Sequence, residues 1–266
     1  MEKIAIISDI HGNITALEAV LNDIESRGIK RIFCLGDLVL KCANPDLVID
    51  KIKENCEVVL KGNCDEAIAR DHALERKFWS RMKIGEERAK FLASLPICYD
   101  FYMSGHLVRL FHASPKSLID ICNPVYSNQT KLYPEIYKFD FMFENTEFIG
   151  KSKDDPIPDI VGYGHIHTPN LFRYKNKLIF NPGSVGFPNE MLNNGDKEDK
   201  TNNFSTLASY SIIEGEYNSK DLSSISICTV RVPYDIKKEI EYLEKSDMPN
   251  RDRFIYSLET ASSNYK

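Results

Sequence analysis

The sequence predicts an α/β protein built around a parallel sheet. Short apolar runs typical of buried strands alternate with stretches in which apolar residues recur at helical spacing. The first run covers residues 4–7, and a helical pattern through Leu17, Val20 and Ile24 follows it. Two strand–helix–strand units in succession imply right-handed crossovers and parallel strands. Polar residues come directly after these strands, at the sheet edge where α/β proteins bind ligands.

Local signals set the boundaries of the elements. Asn44 and Pro45 are typical of the N-cap and first residue of a helix, and Pro96 ends a long helical stretch. Residues 104–105 and 175–176 each separate two extended runs and predict hairpins. The predicted strands cover residues 4–7, 31–35, 57–60, 98–103, 106–111, 159–163, 171–174, 177–180, 208–213 and 225–232. The predicted helices cover residues 17–24, 45–52, 66–95, 236–243 and 251–258.

Two segments have weaker patterns. Residues 116–156 mix aromatic and charged side chains, and we expect a cap-like helical excursion that covers one side of the site. Residues 189–203 are rich in Asn, Asp and Lys, which is typical of a mobile loop. No internal repeat, low-complexity tract or linker divides the sequence. We therefore predict one domain over residues 1–266.

The composition argues against several classes of function. Of 266 residues, 42% are hydrophobic and 27% are charged, the balance of an ordinary globular protein. The net charge of -5 gives no support to binding along a nucleic-acid backbone, and no apolar stretch is long enough to predict a membrane span. The seven cysteines are scattered without a Cys-x-x-Cys pair, and the first residues show no signal-peptide pattern. We expect reduced thiols and a cytoplasmic protein.

Seven polar side chains follow the predicted strands directly. They include four of the six histidines and are Asp9, His11, Asp37, Asn63, His112, His165 and His167. Because the carboxyl ends of parallel strands meet at one edge of a sheet, we expect these side chains to converge. Each of them alone could be a turn residue or a helix cap. Chance does not explain metal-binding side chains after five separate strands.

The ligand types predict the class of metal. Carboxylates, imidazoles and one amide oxygen, without thiolates, suit Mn, Fe, Zn, Ni or Co in a catalytic site. Seven groups are too many for one ion that keeps an open position. We therefore predict two divalent ions, Mn or Fe in first place, that share one carboxylate. Two such ions, roughly 3.5–4 Å apart, can clamp the oxygens of a phosphoryl displacement and lower the pKa of bound water.

The order and spacing of these residues resemble one known family. The series Asp9-x-His11, Gly36-Asp37, Gly62-Asn63-x-Asp65, His112 and Gly164-His165-x-His167 is similar to that of the calcineurin-like metallophosphoesterases, over residues 1 to about 190. The resemblance implies the family fold, a four-layer α-β-β-α sandwich in which helices flank two facing sheets. It also implies that residues 181–186 pack under the site, where they can face substrate.

The resemblance further implies a role for each ligand. One ion would be held by Asp9, His11, Asp37 and His167, and the second by Asp37, Asn63, His112 and His165. Asp37 would bridge the two ions, with a hydroxide between them as the nucleophile. Our candidates for catalysis are therefore Asp37, Asn63 and His112, together with Cys64.

Cys64 departs from the phosphatase pattern. Phosphatases of the family have Gly-Asn-His-Asp/Glu, in which the His protonates or stabilises the leaving group. Here that position is a thiol, whose ordinary pKa of about 8.5 makes it a poor general acid. Small bacterial and archaeal phosphodiesterases of the family share the Gly-Asn-Cys-Asp form. We therefore expect hydrolysis of phosphodiesters or nucleotide phosphoanhydrides, with a small phosphorylated substrate such as a nucleotide.

Two further residues are candidates for contact with substrate. Asn13 either contacts a substrate phosphate or caps the first helix, and His72 either faces the cleft as a proton donor or lies solvated on its helix. Two other functions stay open. One is a phosphomonoesterase or Ser/Thr phosphoprotein phosphatase, and the other is a non-catalytic scaffold of the same fold. The complete ligand set favours an enzyme over a scaffold.

Overall fold

The computed structural model describes residues 1–70, 75–120, 139–190 and 203–261 of the chain. Two five-stranded sheets face each other, and a two-stranded ribbon accompanies them. The strands are β1 Glu2–Ile7, β2 Arg31–Cys34, β3 Val58–Val59, β4 Cys98–Met103, β5 His106–Phe111, β6 Ile160–Gly162, β7 Asn170–Tyr174, β8 Lys177–Asn181, β9 Asn189–Glu190, β10 Asn203–Phe204, β11 Leu207–Gly215 and β12 Ser226–Pro233. The described helices are α1 Ile14–Ser26, α2 Pro45–Asn55, α3 Asn63–Ala69, α4 Glu75–Ser94, α5 Ile236–Lys245 and α6 Arg251–Thr260.

The first sheet contains the parallel strands that the sequence predicts. Its strand order is β12-β11-β1-β2-β3, and β1, β2 and β3 run parallel. The two strands near the C-terminus, β11 and β12, are both antiparallel to their neighbours, so the sheet is mixed rather than purely parallel. The carboxyl ends of β1, β2 and β3 still meet at one edge, and this edge carries the site.

Side-chain alternation along β1 separates two layers of core. Ile4 and Ile6 point into the space between the sheets, where they join the same cluster as Phe101 and Phe180 from the second sheet. Ile7 belongs instead to the cluster that lies under the helices on the outer face. Because successive residues of a strand face opposite sides, a strand buried on both faces has a continuous apolar sequence.

The second sheet has the order β4-β5-β6-β8-β7. Both predicted hairpins, β4 with β5 and β7 with β8, are present, and the central strands β5, β6 and β8 are parallel. Parallel β5 and β6 bring the ends that precede His112 and His165 to the same edge. The carboxyl edges of the two sheets thus lie next to each other, and His112 of the second sheet contacts Leu35 and Asn63 of the first.

The predicted excursion at 116–156 is described only in part. Within residues 139–149 the chain forms two short 3-10 helices, Phe139–Phe143 and Glu147–Ile149. They pack on the outer face of the second sheet, where Met142 joins the cluster of Val161 and Ile179. Residues 121–138 lie outside the described part of the chain.

The predicted helix at 66–95 is wrong as a single element. The chain forms α3 and α4, and α4 is itself interrupted at Gly85, whose backbone has φ 72 and ψ 175. Glycine adopts positive φ without steric cost, so this position can break the helix while the flanking turns continue. The predicted loop at 189–203 pairs its two ends as β9 and β10, and residues 191–202 are outside the described residues.

The C-terminal helices pack beside the loops that carry the site. Leu243 of α5 and Phe254 of α6 share an apolar cluster with Ala43 and Phe187. Asp235 begins α5 as its N-cap, since its carboxylate accepts a hydrogen bond from the Lys238 amide at 3.0 Å. Among the residues described, no helix is long and apolar enough to cross a membrane.

Candidate metal centre

The site is built from loops that leave the carboxyl ends of the strands and bond to one another. The Asp9 amide donates to the Gly36 carbonyl at 2.9 Å, and the His11 amide donates to the Asp37 carbonyl at 3.0 Å. Five of the predicted ligands have a left-handed backbone, with φ between 54 and 68: Asp9, His11, Asp37, His165 and His167. This conformation is costly for residues other than glycine and is typical of functional sites that the surrounding structure holds in place.

Two glycines allow these loops to approach closely. A Cβ atom on Gly62 would clash with the Asp37 carboxylate, and one on Gly164 would clash with the side chain of Ser8. The glycines that precede Asn63 and His165 in the sequence motifs therefore leave room for carboxylates of the neighbouring loops.

The first subsite, as we name it, consists of Asp9, His11, His167 and the shared Asp37. The two imidazoles meet with 3.0 Å between their Nε2 atoms. Asp9 Oδ1 lies 3.3 Å from His167 Nε2 and 3.8 Å from His11 Nε2. Asp37 Oδ2 completes the group at 3.7 Å from His11 Nε2. All four residues are buried.

Backbone carbonyls orient the imidazoles of the centre. The Nδ1 atom of His11 lies 3.1 Å from the Val39 carbonyl, and that of His167 lies 2.7 Å from the Phe187 carbonyl. A carbonyl oxygen only accepts hydrogen bonds, so each Nδ1 carries the proton and each Nε2 presents a lone pair. Metal-bound histidines are typically held in this way. Two Nε2 lone pairs at 3.0 Å repel each other unless a cation lies against both.

The charge states of the first subsite suit a divalent cation. Burial alone would raise the pKa of Asp9, but His167 and the other imidazoles outweigh it, and the net pKa is well below its usual range. Burial lowers the pKa of His11, which keeps that imidazole neutral. The buried atom Asp9 Oδ1 has no hydrogen-bond partner among the described residues. An anionic oxygen without a partner beside two lone pairs is a donor set that a metal ion would satisfy.

The second subsite consists of Asp37, Asn63, His112 and His165. Asn63 Oδ1 lies 3.0 Å from His112 Nε2 and 2.9 Å from His165 Nδ1. Asp37 Oδ1 lies 3.5 Å from His112 Nε2, so the two oxygens of Asp37 face different subsites. The His112 ring is held by the Leu35 carbonyl at 2.9 Å from Nδ1. Asn63 and His165 are only half-buried, unlike the ligands of the first subsite.

The seven predicted ligands are therefore brought together in one place. Three overlapping groups have one potential ligand atom per residue, all within 4.8 Å of one another: Asp9 with His11 and His167, Asp9 with Asp37 and His112, and His11 with Asp37 and Cys64. The distances are those expected for ligands of one or two ions. The predicted position of residues 181–186 also agrees with the structure, since Ser184 Oγ donates to the Asp9 carbonyl at 2.6 Å.

Cys64 lies beside the shared carboxylate. Its backbone amide donates to Asp37 Oδ1 at 2.7 Å, and its sulfur accepts from the Asn63 amide group at 3.5 Å. That contact leaves the Asn63 oxygen pointing at the two imidazoles. Burial and the Asp37 charge raise the pKa of the Cys64 thiol well above its usual range, so the sulfur stays protonated.

The two candidates for substrate contact have different outcomes. Asn13 is buried and caps α1, with Oδ1 accepting from the Ala16 amide at 2.9 Å while Nδ2 donates to the Gly186 carbonyl at 3.0 Å. Both ends of its amide therefore bond to protein, which is the capping alternative of the sequence analysis. His72 lies outside the described residues.

Sequence reasoning missed the role of Asp65. Its buried carboxylate accepts three backbone hydrogen bonds, from Asp37 and Gly62 to Oδ2 at 2.8 and 2.9 Å and from Leu38 to Oδ1 at 2.9 Å. Burial and the nearby Asp37 charge raise the pKa of Asp65 to about 7, while the amides act in the opposite direction. Asp65 ties the loop after β2 to the start of α3 and so positions Asp37 and Asn63. Asp65 at the third residue of α3 accepts from the Gly62 amide, which is one half of a capping box, and this spacing was the available signal.

Lys41 is the second residue that the sequence analysis did not single out. Its ammonium nitrogen lies 3.0 Å from His11 Nε2 and 3.3 Å from His167 Nε2. Burial lowers the pKa of Lys41, whereas nearby Cys64 and Asp37 act to raise it. A cationic side chain is thus part of the first subsite.

Comparison with known proteins agrees with this geometry. The family model described as the calcineurin-like phosphoesterase superfamily domain matches residues 2–198. An uncharacterised protein of Methanocaldococcus jannaschii is 34% identical over an alignment of 276 positions, gaps included, that covers 92% of this chain and 93% of that protein.

Two solved structures of similar length have the same fold. A metallophosphoesterase from Sphaerobacter thermophilus has a TM-score of 0.67 at 22% identity, covering 98% of this chain and 99% of that chain. A hypothetical protein from Pyrococcus horikoshii OT3 has a TM-score of 0.68 at 18% identity, covering 97% and 98% respectively. These likenesses show the two-sheet architecture, and the family model confirms the family that the motifs indicate. The chain belongs to the calcineurin-like phosphoesterase superfamily, and its two mixed sheets with flanking helices form the metallophosphoesterase fold.

Proposed function

We propose that this chain is a metal-dependent hydrolase of phosphodiesters or nucleotide phosphoanhydrides. The observation that carries the proposal is the first subsite, where two oriented Nε2 lone pairs lie 3.0 Å apart beside an unpartnered carboxylate oxygen. The Lys41 ammonium donates to both lone pairs but leaves Asp9 Oδ1 without a partner, and a buried polar atom without a partner costs stability. A divalent cation would satisfy all three atoms together.

Two ions that share Asp37 account for the whole donor set. Asp9, His11 and His167 would hold the first ion, and the second would be held by Asn63, His112 and His165. Nitrogen and oxygen donors of this kind suit Mn or Fe, and Zn, Ni and Co also match them. Such ions neutralise phosphoryl charge and lower the pKa of a bound water.

The chain itself orients the metal-binding imidazoles and leaves part of the centre accessible to a substrate phosphate. Carbonyls of the backbone hold the rings of His11, His112 and His167, so the rings themselves are already oriented for metal binding. Asn63 and His165 are half-buried and lie on the open side of the cleft. A substrate phosphate would therefore approach from the second subsite.

Cys64 favours substrates whose leaving group departs without a proton. Burial and the Asp37 charge raise the pKa of the thiol, which makes it a weak acid and leaves little thiolate to act as a nucleophile. A basic alkoxide leaves poorly under these conditions, whereas a phosphate or an activated alcohol leaves readily. We therefore place diesters and phosphoanhydrides before phosphomonoesters, and a small substrate such as a nucleotide before a phosphoprotein. A cytoplasmic location is part of this proposal.

Hydrolysis of bis-(p-nitrophenyl) phosphate by the Mn²⁺-loaded protein tests the proposal. We expect turnover that disappears in Asp37→Ala and His165→Ala, while His106→Ala, a histidine of the β4–β5 hairpin, keeps the wild-type rate. Turnover that survives in both site variants would refute the assignment. Bound Mn²⁺ without turnover of diesters, dinucleoside polyphosphates or phosphopeptides would instead indicate a scaffold.

The account of Cys64 has a separate test. We expect Cys64→His to raise the rate on p-nitrophenyl phosphate relative to the diester, because an imidazole can protonate a leaving oxygen. Cys64→Ser is the matched control, since a hydroxyl is no better an acid than the thiol. An unchanged ratio in Cys64→His, or a wild-type preference for monoesters, would show that Cys64 does not set the substrate class.

A further inference from the structure

Lys41 places a positive charge against the ligands of the first subsite. It lies in the loop between β2 and α2, its backbone is left-handed with φ 71, and its side chain is half-buried. The ammonium nitrogen is 3.0 Å from His11 Nε2 and 3.3 Å from His167 Nε2. Both contacts are within hydrogen-bond distance.

The direction of these hydrogen bonds is determined by the proton positions. Each Nδ1 atom of His11 and His167 faces a backbone carbonyl and therefore donates. An ammonium group has three donors and no acceptor, so Lys41 donates to both Nε2 atoms. Each Nε2 has one lone pair, and this is the lone pair that would bind a metal ion.

An ion in the first subsite and these two hydrogen bonds exclude each other. The lone pairs can point at the ammonium or at the ion, and the two positive charges repel at such distances. In the same position the ammonium also lies over the Phe187 ring, whose centroid is 5.1 Å from the Lys41 nitrogen. A cation over an aromatic face is a favourable contact.

The ligands of the second subsite bond to one another instead. His112 Nε2 and His165 Nδ1 both face Asn63 Oδ1, and His112 Nδ1 faces the Leu35 carbonyl. With an oxygen acceptor at each ring nitrogen, His112 donates from both and carries a positive charge of its own in protein without ions. Displacement of the Lys41 ammonium is therefore a feature of the first subsite, although it is not the only charge near the two subsites.

We propose that Lys41 is an internal competitor of the first-subsite ion and weakens the binding of that ion. The first ion binds only as Lys41 moves away. In protein without ions, Lys41 neutralises part of the charge on Asp9 and Asp37. The inference rests on the proposed function, since it assumes that the same ligands bind two ions.

The test is a calorimetric titration of chelator-treated full-length protein with Mn²⁺ alone. We expect two binding steps in the wild type. Lys41→Met should tighten one step at least tenfold and leave the other unchanged. Lys245→Met, an exposed lysine on α5, is the matched control and should titrate as the wild type.

Thermal unfolding with and without Mn²⁺ provides a readout that general destabilisation cannot imitate. We expect Lys41→Met to melt below the wild type in chelator and above it in saturating Mn²⁺. Lys41→Gln, which keeps a donor but not the charge, should show the same pattern and is the variant to use if Lys41→Met does not fold.

The outcomes separate this inference from the proposed function. Wild-type protein that takes up no Mn²⁺ would overturn both. Two Mn²⁺ steps that are unchanged or shifted together in both Lys41 variants would overturn the competition while leaving the dimetal hydrolase intact. A melting temperature lowered equally in chelator and in Mn²⁺ would also overturn it.

Discussion

The two subsites of the metal centre differ in how deeply their ligands are buried. Asp9, His11 and His167 of the first subsite are buried, and backbone carbonyls hold both of its imidazoles. The second subsite contains the half-buried Asn63 and His165. The loops after β1 and β2, together with His167 from the second sheet, thus form an interior half. Asn63 at the start of α3, with His112 and His165 from the second sheet, forms the more open half.

This difference indicates that one half of the centre can fix the metal geometry while the other half leaves room for substrate. Rigid, buried ligands keep their geometry without help from a substrate, whereas partly exposed ligands leave room for one. Lys41 acts against the better-ordered half, so the order of metal binding need not follow the order of rigidity. Variants of the shared Asp37, of one subsite or of the supporting contacts can separate the rigidity of the ligands from the order of metal binding.

Substitution of Asp37 should impair both subsites of the metal centre together. Its Oδ1 and Oδ2 atoms face His112 and His11 respectively. Asp37→Asn removes the charge that both ions would share, and we expect diester hydrolysis to fall by about 10³-fold or more, since changes beyond the direct ligands alone cost 10–100-fold. Both Mn²⁺ steps should weaken in the titration. Loss of only one step would mean that Asp37 is not shared.

Asp65 supports the junction between the halves. Asp65→Ala leaves the buried amides of Asp37, Leu38 and Gly62 without their acceptor, and each such loss costs about 1–3 kcal/mol. We expect the free energy of unfolding in urea to fall by about 3 kcal/mol or more. Asp154→Ala removes an exposed carboxylate and should change it by less than about 0.5 kcal/mol. A small effect of Asp65→Ala would show that water replaces the carboxylate.

The ligands could be found in the sequence because they break a pattern. Asp9 and His11 follow an apolar run that is buried on both faces, where polar side chains are costly without a partner. His165 and His167 stand out in the same way after β6. The glycines of the motifs then indicate close approach of neighbouring loops. Strand ends and ligands are local signals, and the structure places all of them at one cleft.

The supporting residues could not be found in this way, because their roles depend on distant or flexible contacts. An aspartate at this position could cap a helix or bind a metal, and the sequence does not distinguish these roles. The actual role of Asp65 depends on hydrogen bonds from backbone amides 27 and 28 residues away. The head group of Lys41 is located by a left-handed loop that spacing alone does not predict. The antiparallel β11 pairs with β1 from about 200 residues further along the chain. Gly85 looks like any helix glycine until its positive φ is seen.

Glu239 links the C-terminal helix α5 to the interior half of the site. Its buried carboxyl accepts from the Thr15 amide at 3.3 Å, just after the His11 loop, and burial raises its pKa to about 7 from an ordinary 4.5. Between these pH values the folded protein holds a proton that the unfolded chain has released. Stability therefore falls as pH rises through this window.

Glu239→Gln should remove this dependence on pH. The stability of the variant relative to wild type should rise by about 2–3 kcal/mol between pH 5 and pH 8, measured as the free energy of unfolding in urea at each pH. The comparison between the two proteins cancels the titration of other groups. Glu241→Gln, an exposed carboxylate on the same helix, should show no such trend. A constant difference would mean that Glu239 is ionised in the folded protein throughout.

The smallest expected effect concerns Asn13, whose two sequence interpretations predict different measurements. The side chain caps α1 and bonds to the Gly186 carbonyl, which joins the His11 loop to residues 181–186. Asn13→Ala should therefore cost about 1–2 kcal/mol of folding free energy, the usual value for a lost cap. If Asn13 bonds only to protein, KM for bis-(p-nitrophenyl) phosphate should stay within about twofold at a temperature where both proteins are folded. A several-fold rise in KM with little loss of stability would instead place Asn13 on the substrate and extend the interior half of the site into the cleft.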